Sequence, residues 1–351
     1  MTTQTIRHAL QQTIRHTIET LLTREHGAPV QELALERRPL RGGLEAASIE
    51  LVAAAYRGPG GRAHRRKLVV KRLRGATARE ALVYERLVSQ PSVAAVAPRL
   101  LGVERPSAEE AVLYVEALRP VRAWPWRDLT AAHDALAQAA RIHALAVPPE
   151  LAGALGGWDY DRELNATAAR TVERLADVRR QTGLRRFTAG HRWARRLTGA
   201  LPALRRQLVG GGPLGCTLIH GDLHPGNVLL RRHRGREAAV LIDWGRARLG
   251  SPLEDLSCWL QSLAAWEPVA RQRHDTLLAG YLTARGLSPR LGPELRAGYW
   301  LAGASNALSG ALLYHVEVML DASAGSAARV RAEYAAREWL RVLRRADAFW
   351  S

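Results

Sequence analysis

Cysteine is nearly missing from this sequence of 351 residues. The two cysteines, Cys216 and Cys258, form no CxxC pair and have no histidine cluster beside them. This excludes a disulfide framework and gives no zinc signature. We expect both to be small, non-catalytic core residues in a reducing cytoplasm.

Long apolar runs are missing as well. No run approaches the roughly 20 residues needed to span a bilayer. The segment 1–26 has no apolar core followed by a small-residue cleavage site, so we expect neither a secretory signal nor a membrane partner. The apolar spacing there is instead helical, since Ile6, Leu10, Ile14 and Ile18 recur every four residues. The pattern predicts an amphipathic first helix that docks on the protein.

Lysine is scarce although the chain is strongly basic. Lys67 and Lys71 are its only lysines, while Lys and Arg together number 51 against 33 acidic residues, for a net charge of +18. Such a charge can indicate nucleic acid as a partner. Here the arginines are spread along the whole sequence, as in a compositional bias, and the densest basic runs flank predicted hairpin turns. We therefore do not expect a nucleic-acid partner, and no pattern indicates an oligomeric state.

The order of predicted elements divides the chain into two parts. Residues 1–117 should contain the N-terminal helix and a small nucleotide-binding N-lobe, and residues 118–351 a mainly helical C-lobe. The expected N-lobe elements are strands at 49–56, 67–73 and 111–115, a Gly/Pro turn at 57–61 and a helix at 76–89. In the C-lobe, helices at 131–146, 163–180 and through most of 256–350 surround a hairpin of residues 228–230 and 238–242.

A polar loop joins two apolar runs in the centre of the chain. The loop reads His220-Gly221-Asp222-Leu223-His224-Pro225-Gly226-Asn227, and the following hairpin ends in another carboxylate, Asp243. Phosphoryl transfer needs one carboxylate that orients the attacking hydroxyl and accepts its proton. It needs a second to hold Mg²⁺, which prefers oxygen ligands, with an amide such as Asn completing the site. We expect the hairpin to fold Asp243 back beside Asp222 and Asn227.

This loop resembles the catalytic loop of the aminoglycoside phosphotransferase and choline kinase-like family of small-molecule kinases. Asp243-Trp244-Gly245 resembles the metal-binding Asp-Phe-Gly element of kinases, and residues 250–256 also resemble the family. The similarity covers roughly residues 38 to 260, and the loop is a specific motif. It implies an α+β, bilobed protein-kinase-like fold with a small β-rich N-lobe and a mainly helical C-lobe, and it implies ATP and Mg²⁺ as cofactors.

The resemblance also implies roles for the residues of the loop and of its surroundings. Asp222 would be the catalytic base, and Asn227 and Asp243 the magnesium ligands. His220 would support the loop. Asp255 would be structural, either bonding loop backbone amides or capping the helix that begins at Leu256. His224 could take part, although a lone loop histidine is more often a structural hydrogen-bonding group.

The N-lobe offers a second group of candidates. Lys71 ends an apolar strand, where kinases keep the lysine that binds the α- and β-phosphates. A lysine in a chain that otherwise uses arginine is suggestive, because the two side chains are not interchangeable at a tight phosphate site. Its partner would be Glu80, or alternatively Glu85. An exposed strand lysine and exposed helical glutamates are the plainer alternatives.

Two weaker nucleotide contacts follow from the same resemblance. Gly42 and Gly43 would lie in the loop that covers the phosphates, although Gly-Gly before a strand is a common turn. The segment from Val115 through Ala117 would be the hinge that meets the adenine edge, and a plain linker would look the same.

The function expected from these patterns is ATP- and Mg²⁺-dependent transfer of a phosphoryl group to a small-molecule hydroxyl. Two alternatives are a protein kinase and a non-catalytic nucleotide- or nucleic-acid-binding protein on a kinase-like fold. Only about ten residues separate Trp244 from Asp255, which leaves no room for a long peptide-docking loop. All the catalytic residue types are present, which disfavours the non-catalytic alternative. An aminoglycoside, a sugar, an amino alcohol and a macrolide are all open as the acceptor.

Overall fold

A computed structural model of the chain describes residues 3–40, 46–121, 123–155, 160–183, 185–233 and 235–350. The chain forms two compact units, Met1–Arg119 and Pro120–Ser351, which we call the N-lobe and the C-lobe. The division falls close to residue 117, where the end of the last predicted N-lobe strand led us to expect a boundary.

An antiparallel sheet with the strand order β1-β2-β3-β5-β4 forms the centre of the N-lobe. The strands are β1 (Gln31–Pro39), β2 (Ser48–Arg57), β3 (Ala63–Arg74), β4 (Leu100–Ser107) and β5 (Glu110–Glu116). The expected turn between β2 and β3 passes through Gly60 and Gly61, which both have positive φ and so favour glycine. Strand β3, the middle strand, carries Lys71.

Helix α1 (Thr3–His26) packs on one face of this sheet. Ile18 and Leu22, one helical turn apart, are buried in a cluster that includes Val52, Val70 and Tyr114 of the sheet. Two arginines of the helix also donate hydrogen bonds to backbone carbonyls of the sheet, at 2.6 and 2.5 Å. The prediction of a docked amphipathic helix is confirmed, because the apolar stripe of the helix is buried against the sheet. This burial stabilises the helix on the sheet.

The helix predicted after β3 is divided into three short pieces. These are a 3₁₀ turn (Gly75–Ala78), helix α2 (Arg79–Val83) and a π-helical turn (Tyr84–Val88). Ala81, Val83 and Leu87 are buried, so the apolar face still packs inward although the helical geometry changes along it.

The C-lobe is mainly helical, as expected. Its helices are α3 (Leu129–His143), α4 (Pro149–Leu155), α5 (Tyr160–Thr182), α6 (Arg185–Gly211), α7 (Pro252–Trp266), α8 (Pro268–Gln272), α9 (His274–Ala284), α10 (Pro293–Asn306), α11 (Leu312–Leu320) and α12 (Ser326–Trp350). Helices α5, α6, α10, α11 and α12 share an apolar core that includes Leu175, Phe187, Leu308, Leu312 and Leu343.

Two short pairs of strands interrupt these helices. Strands β7 (Val228–His233) and β8 (Arg236–Leu241) form the predicted hairpin, and β6 (Thr217–Ile219) pairs with β9 (Arg248–Gly250). The polar loop 220–227 therefore runs from β6 to β7. The loop enters β7 at Val228, which pairs with Leu241 at the end of β8. Asp243 follows two residues after Leu241, so it lies close to the end of the loop.

The expectation for the cysteines was wrong in part. Cys216 is exposed and Cys258 is partly buried, because Cys216 immediately precedes β6, where the chain is still at the surface. In the part of the chain that the structure describes, no helix has the length and apolar character needed to cross a membrane.

Candidate active site

The polar loop begins with a sharp turn that requires glycine. Gly221 has φ +81°, and a Cβ atom there would lie 2.1 Å from the carbonyl oxygen of Arg246. The register of β6 and β9, which pairs Ile219 with Arg248, brings the two backbones this close. A side chain at residue 221 would separate the loop from the segment that follows Asp243.

The side chain of Asp255, in the first turn of α7, binds the backbone of the loop at its glycine turn. Its Oδ2 accepts a hydrogen bond from the His220 N–H at 2.6 Å, and its Oδ1 accepts one from the Gly221 N–H at 2.8 Å. Helix α7 is capped by Ser251 instead, so the first of the two alternatives for Asp255 is the one observed. Burial alone would raise the pKa of Asp255, but hydrogen bonding and charge from His143 and the N–H of His220 hold that pKa below its ordinary value.

His220 connects the loop to the segment that carries Asp243. Its Nε2 lies 2.9 Å from the carbonyl oxygen of Ile242, and its ring lies 4.6 Å from the ring of Trp244, centroid to centroid. The side chain is buried, and burial lowers the pKa of His220, so the ring is neutral near pH 7 and Nε2 donates to the carbonyl. Both neighbours of Asp243 are thereby held by one imidazole.

Asp222 and Asn227 contact each other across the loop. The Asn227 Nδ2 donates to the backbone oxygen of Asp222 at 2.9 Å and to its Oδ2 at 3.2 Å. The Asp222 side chain is 38% exposed, whereas Asn227 is buried. The Asp222 carboxylate is therefore oriented by the buried Asn227 amide on one side and exposed to solvent on the other, where a ligand can reach it.

Asn227 is also tied to the segment before Asp243. The N–H of Ile242 donates to the carbonyl oxygen of Asn227 at 2.9 Å, which extends the pairing of Val228 with Leu241 by one step. Asp243 then adopts φ 67°, ψ 69°, a left-handed conformation that is uncommon outside glycine and recurs at functional sites. The expected approach of Asp243 to the loop follows from these contacts.

Asn227 and Asp243 are the two residues of the site whose side-chain oxygens could hold a magnesium ion. Because Nδ2 of Asn227 is used by Asp222, the amide oxygen is the atom that remains for a cation. No set of three or more His, Cys, Asp or Glu side chains within the described ranges could enclose a metal. Mg²⁺ suits such a site, since it takes one or two protein ligands and completes its shell with phosphate and water.

His224 has a local structural role in the loop. Its Nδ1 accepts a hydrogen bond from the Gly226 N–H at 3.0 Å, which caps the 3₁₀ turn Pro225–Asn227. Its Nε2 lies 3.7 Å from the Oδ2 of Asp222, beyond hydrogen-bonding distance.

Three further buried residues secure the loop. Arg248 donates through Nη2 to the Oε2 of Glu254 at 2.6 Å and through Nη1 to the carbonyl oxygen of Gly221 at 3.3 Å. His143 contacts Asp255 from the end of α3, 112 positions away. No sequence signal identified Arg248 or His143, because one arginine among many and one helical histidine look ordinary. Glu254 lies within the segment 250–256 that resembles the family.

In the N-lobe, Lys71 pairs with Glu80. The Lys71 Nζ lies 2.6 Å from the Glu80 Oε2, and the two side chains are 11% and 2% exposed. Glu85 instead forms a bidentate contact with Arg105. Between the two glutamates that the sequence offered, the structure pairs Glu80 with the lysine, and a freely solvated Lys71 is excluded.

The remaining nucleotide-site candidates differ in position. Val115 is buried inside β5, which pairs with β3 and β4, and Ala117 follows the end of that strand at Glu116. The backbone of Ala117 is therefore outside the strand. Gly42 and Gly43 lie outside the described residues.

Comparison with known proteins identifies similar folds. Residues 36–299 match the model of a family described as "Phosphotransferase enzyme family". No curated protein sequence matches the chain. A spectinomycin phosphotransferase, APH(9)-Ia, solved with ADP and spectinomycin, is 14% identical over 95% of this chain and 98% of its own, with a TM-score of 0.53. A microcompartment-associated aminopropanol kinase is 13% identical over 91% and 94%, also with a TM-score of 0.53.

An ethanolamine kinase from Plasmodium vivax is similar to the same degree, with 11% identity over 86% of this chain and 81% of its own and a TM-score of 0.52. At these identities the likeness concerns the fold, and it confirms the bilobed, protein-kinase-like α+β architecture expected from the sequence. The family model spans most of the chain and includes the loop, Lys71 and Asp255. This protein therefore belongs to the phosphotransferase enzyme family and is a phosphotransferase.

Proposed function

We propose that this phosphotransferase transfers the γ-phosphoryl group of ATP, with Mg²⁺, to a hydroxyl group of a small molecule. The observation that carries the proposal is the loop 220–227, in which a half-exposed Asp222 is held by a buried Asn227 beside the segment of Asp243. A carboxylate fixed on one side and open on the other suits a hydroxyl acceptor.

Asp222 orients the acceptor hydroxyl and takes its proton as the oxygen attacks phosphorus. The Asn227 amide occupies the Oδ2 of Asp222, so one carboxylate oxygen remains for the hydroxyl. Because the loop backbone is hydrogen-bonded to a buried Asp255, the acceptor meets a base whose position is already set. Holding reacting atoms in this way supplies much of the rate in phosphoryl transfer, where the protein mainly positions groups and stabilises charge.

Asn227, through its amide oxygen, and Asp243, through its carboxylate, would hold the magnesium ion. When bound, Mg²⁺ neutralises charge on the phosphate oxygens of ATP. The buried, neutral His220 keeps Asp243 in place through its contacts with Ile242 and Trp244.

Lys71 binds the α- and β-phosphates. The Glu80 carboxylate aligns its ammonium group, which would otherwise be mobile at the end of a four-carbon chain. The backbone at Ala117 contacts the adenine edge, and Gly42 and Gly43 remain predicted contacts to the phosphates.

The two alternative functions are less well supported. Between Asp243 and α7 the chain makes only a 3₁₀ turn (Trp244–Arg246) and strand β9, too short a connection for a peptide-docking loop of a protein kinase. A non-catalytic binding protein would not need the base, the metal ligands and the paired lysine to be retained together.

A neutral or singly charged acceptor fits better than a polycation. A polycationic aminoglycoside needs several unpaired carboxylates, but Glu254, Asp275 and Glu317 of the C-lobe each pair with an arginine. The acceptors to be tested are therefore sugars, amino alcohols and macrolides as well as aminoglycosides. We place the reaction in the cytoplasm, in keeping with two free cysteines.

The decisive experiment measures ADP release from Mg-ATP with a panel of these hydroxyl compounds, and ³¹P NMR identifies the phosphate ester formed. We expect acceptor-dependent ADP release in the wild type and its loss in Asp222→Asn. If no compound gives acceptor-dependent ADP, the proposed reaction is wrong.

Nucleotide binding is checked separately by thermal melting, since Mg-ATP at a hundredfold excess over its Kd stabilises a protein by about 2.7 kcal/mol. Equal shifts in melting temperature with ATP in EDTA and with Mg-ATP would remove Asn227 and Asp243 from the metal site.

A further inference from the structure

A buried tyrosine of α9 reaches the catalytic loop through two other side chains. Tyr281 and His143, the last residue of α3, are both buried. The Tyr281 hydroxyl lies 2.8 Å from the His143 Nδ1, and the two rings meet edge to face at 5.6 Å. Neither residue belongs to the sequence motifs that pointed to the site.

The other nitrogen of the same imidazole contacts the carboxylate that carries the loop. The His143 Nε2 lies 3.1 Å from the Oδ2 of Asp255, the atom that also accepts from the His220 N–H. The backbone oxygen of His143 accepts a hydrogen bond from the Thr217 Oγ1 at 2.8 Å, which joins the end of α3 to β6 just before the loop. Helices α3, α7 and α9 thus meet at one imidazole.

The chemistry of the partners determines where the protons lie. The pKa of Asp255 is held below its ordinary value, so this residue is ionised near pH 7 and only accepts hydrogen bonds. The His143 Nε2 must then carry a proton. Burial raises the pKa of Tyr281, so its hydroxyl stays protonated and can pair with the His143 Nδ1 either as donor or as acceptor.

We propose that Tyr281 is a positioning residue for the catalytic loop, because its hydroxyl holds the His143 ring in the orientation in which Nε2 donates to Asp255. The series runs from the Tyr281 O–H to His143, from His143 to the Asp255 carboxylate, and from there to the N–H groups of His220 and Gly221. Asp222 is the next residue in the chain. The catalytic meaning of this series rests on the proposed function, but the structural linkage does not.

Loss of the hydroxyl has a defined consequence. Without it the His143 Nδ1 is a buried polar atom that loses its hydrogen-bond partner, an arrangement that proteins avoid. The ring is then less firmly oriented, which weakens its hydrogen bond to Asp255 and, through that carboxylate, the two hydrogen bonds to the loop amides.

Hydrogen exchange tests the linkage without any substrate. In Tyr281→Phe we expect exchange in the peptide that contains residues 218–224 to accelerate by about tenfold, since a buried group that loses its partner costs about that factor in local stability. The matched control is Tyr299→Phe, which removes another buried hydroxyl, bonded to Gln261 and His274 in α7 and α9. It should leave the loop peptide unchanged. Unchanged exchange in Tyr281→Phe, or equal acceleration in both variants, overturns the proposal.

Turnover supplies the second measurement. Tyr281→Phe should lower kcat by about tenfold while the KM for Mg-ATP stays near the wild-type value, and Tyr299→Phe should change neither. A rise in KM with unchanged kcat would contradict a positioning role.

If Tyr281→Phe does not fold, His143→Asn, which removes both contacts of the ring, should give the same loop-specific acceleration of hydrogen exchange. If the wild type transfers phosphate to no compound, the proposed function fails, and hydrogen exchange alone decides the linkage.

Discussion

The two lobes bury their charged groups in different ways. In the N-lobe, Lys71 and Glu80 satisfy each other directly, and they come from elements that are close in sequence. In the C-lobe, Asp255 binds backbone N–H groups 34 and 35 positions away, and His143 binds Asp255 across 112 positions. The first arrangement holds a side chain, and the second holds a stretch of backbone.

This difference has a physical consequence for each lobe. A side-chain ion pair is lost when either partner is removed, and the surrounding sheet keeps its own hydrogen bonds. A backbone segment held by several buried polar groups moves as a unit when any of them is removed, because each buried donor or acceptor must be satisfied. We therefore expect substitutions in the N-lobe pair to leave the backbone of the sheet in place, and substitutions beneath the loop to displace the loop backbone.

The largest effect should come from Asp222, and comparison with Asp243 separates the two carboxylates. In Asp222→Asn we expect turnover to fall by roughly 10²–10⁴, the contribution of a positioned general base, with the affinity for Mg-ATP unchanged. In Asp243→Asn the magnesium-dependent part of ATP binding should also disappear, because a neutral amide replaces a charged ligand. Calorimetric titration of Mg-ATP into each variant measures the difference, and the reverse pattern would show that the two roles are exchanged.

The next effect tests the burial of charge beneath the loop. Arg248 and Glu254 are 4% and 1% exposed, so Arg248→Met takes this donor away from a buried carboxylate and from the carbonyl of Gly221. We expect a loss of about 3 kcal/mol in the free energy of unfolding, the lower end for breaking a buried ion pair, because the Arg205 Nε lies 3.6 Å from the same oxygen of Glu254. The matched control, Arg170→Met, breaks an exposed pair with Glu317 and should cost about 1 kcal/mol or less. Urea denaturation measures both, and equal losses would contradict the comparison.

Lys71 tests the opposite expectation for the N-lobe. Lys71→Met should lower turnover by about 10², the scale for loss of a charged group that stabilises a transition state, without unfolding the sheet. Lys71→Arg should not restore activity, since a wide, planar guanidinium does not replace a compact ammonium at a tight phosphate site. Lys67→Arg is the control on the same strand, where the side chain is exposed. Full activity of Lys71→Arg would remove this lysine from the nucleotide site.

The smallest effect concerns pH and the C-lobe helices. Burial lowers the pKa of His315 in α11 from 6.5 to about 4. The unfolded chain binds the proton near pH 6.5 and the folded chain only near pH 4, so stability is full above pH 6.5 and is lost as the pH falls toward 4. We expect His315→Gln to flatten this decline by on the order of 2 kcal/mol. Urea titrations at several pH values measure it, and parallel curves for the two proteins would contradict the assignment.

The catalytic loop and its hairpin could be read from the sequence because their signals are local. Polar residues between two apolar runs predict a loop between strands, and the spacing of Asp222, Asn227 and Asp243 predicts their approach once the hairpin is recognised. The helix after β3 was also predictable from its apolar spacing, but not its division into 3₁₀, α and π pieces. The surface position of Cys216 was missed, since a small apolar-like residue beside a strand does not show which end of that strand is exposed.

The sequence by itself determined the family, the lobes and the residue types of the site, because each depends on neighbouring residues or on a contiguous motif. Only the tertiary structure decided that Lys71 pairs with Glu80, that Asp255 binds loop amides, and that Arg248 lies beneath the loop. It also decided that Tyr281 meets His143. The physical reason is that a buried donor or acceptor takes whichever partner packing brings within about 3 Å, and that distance has no counterpart in sequence spacing.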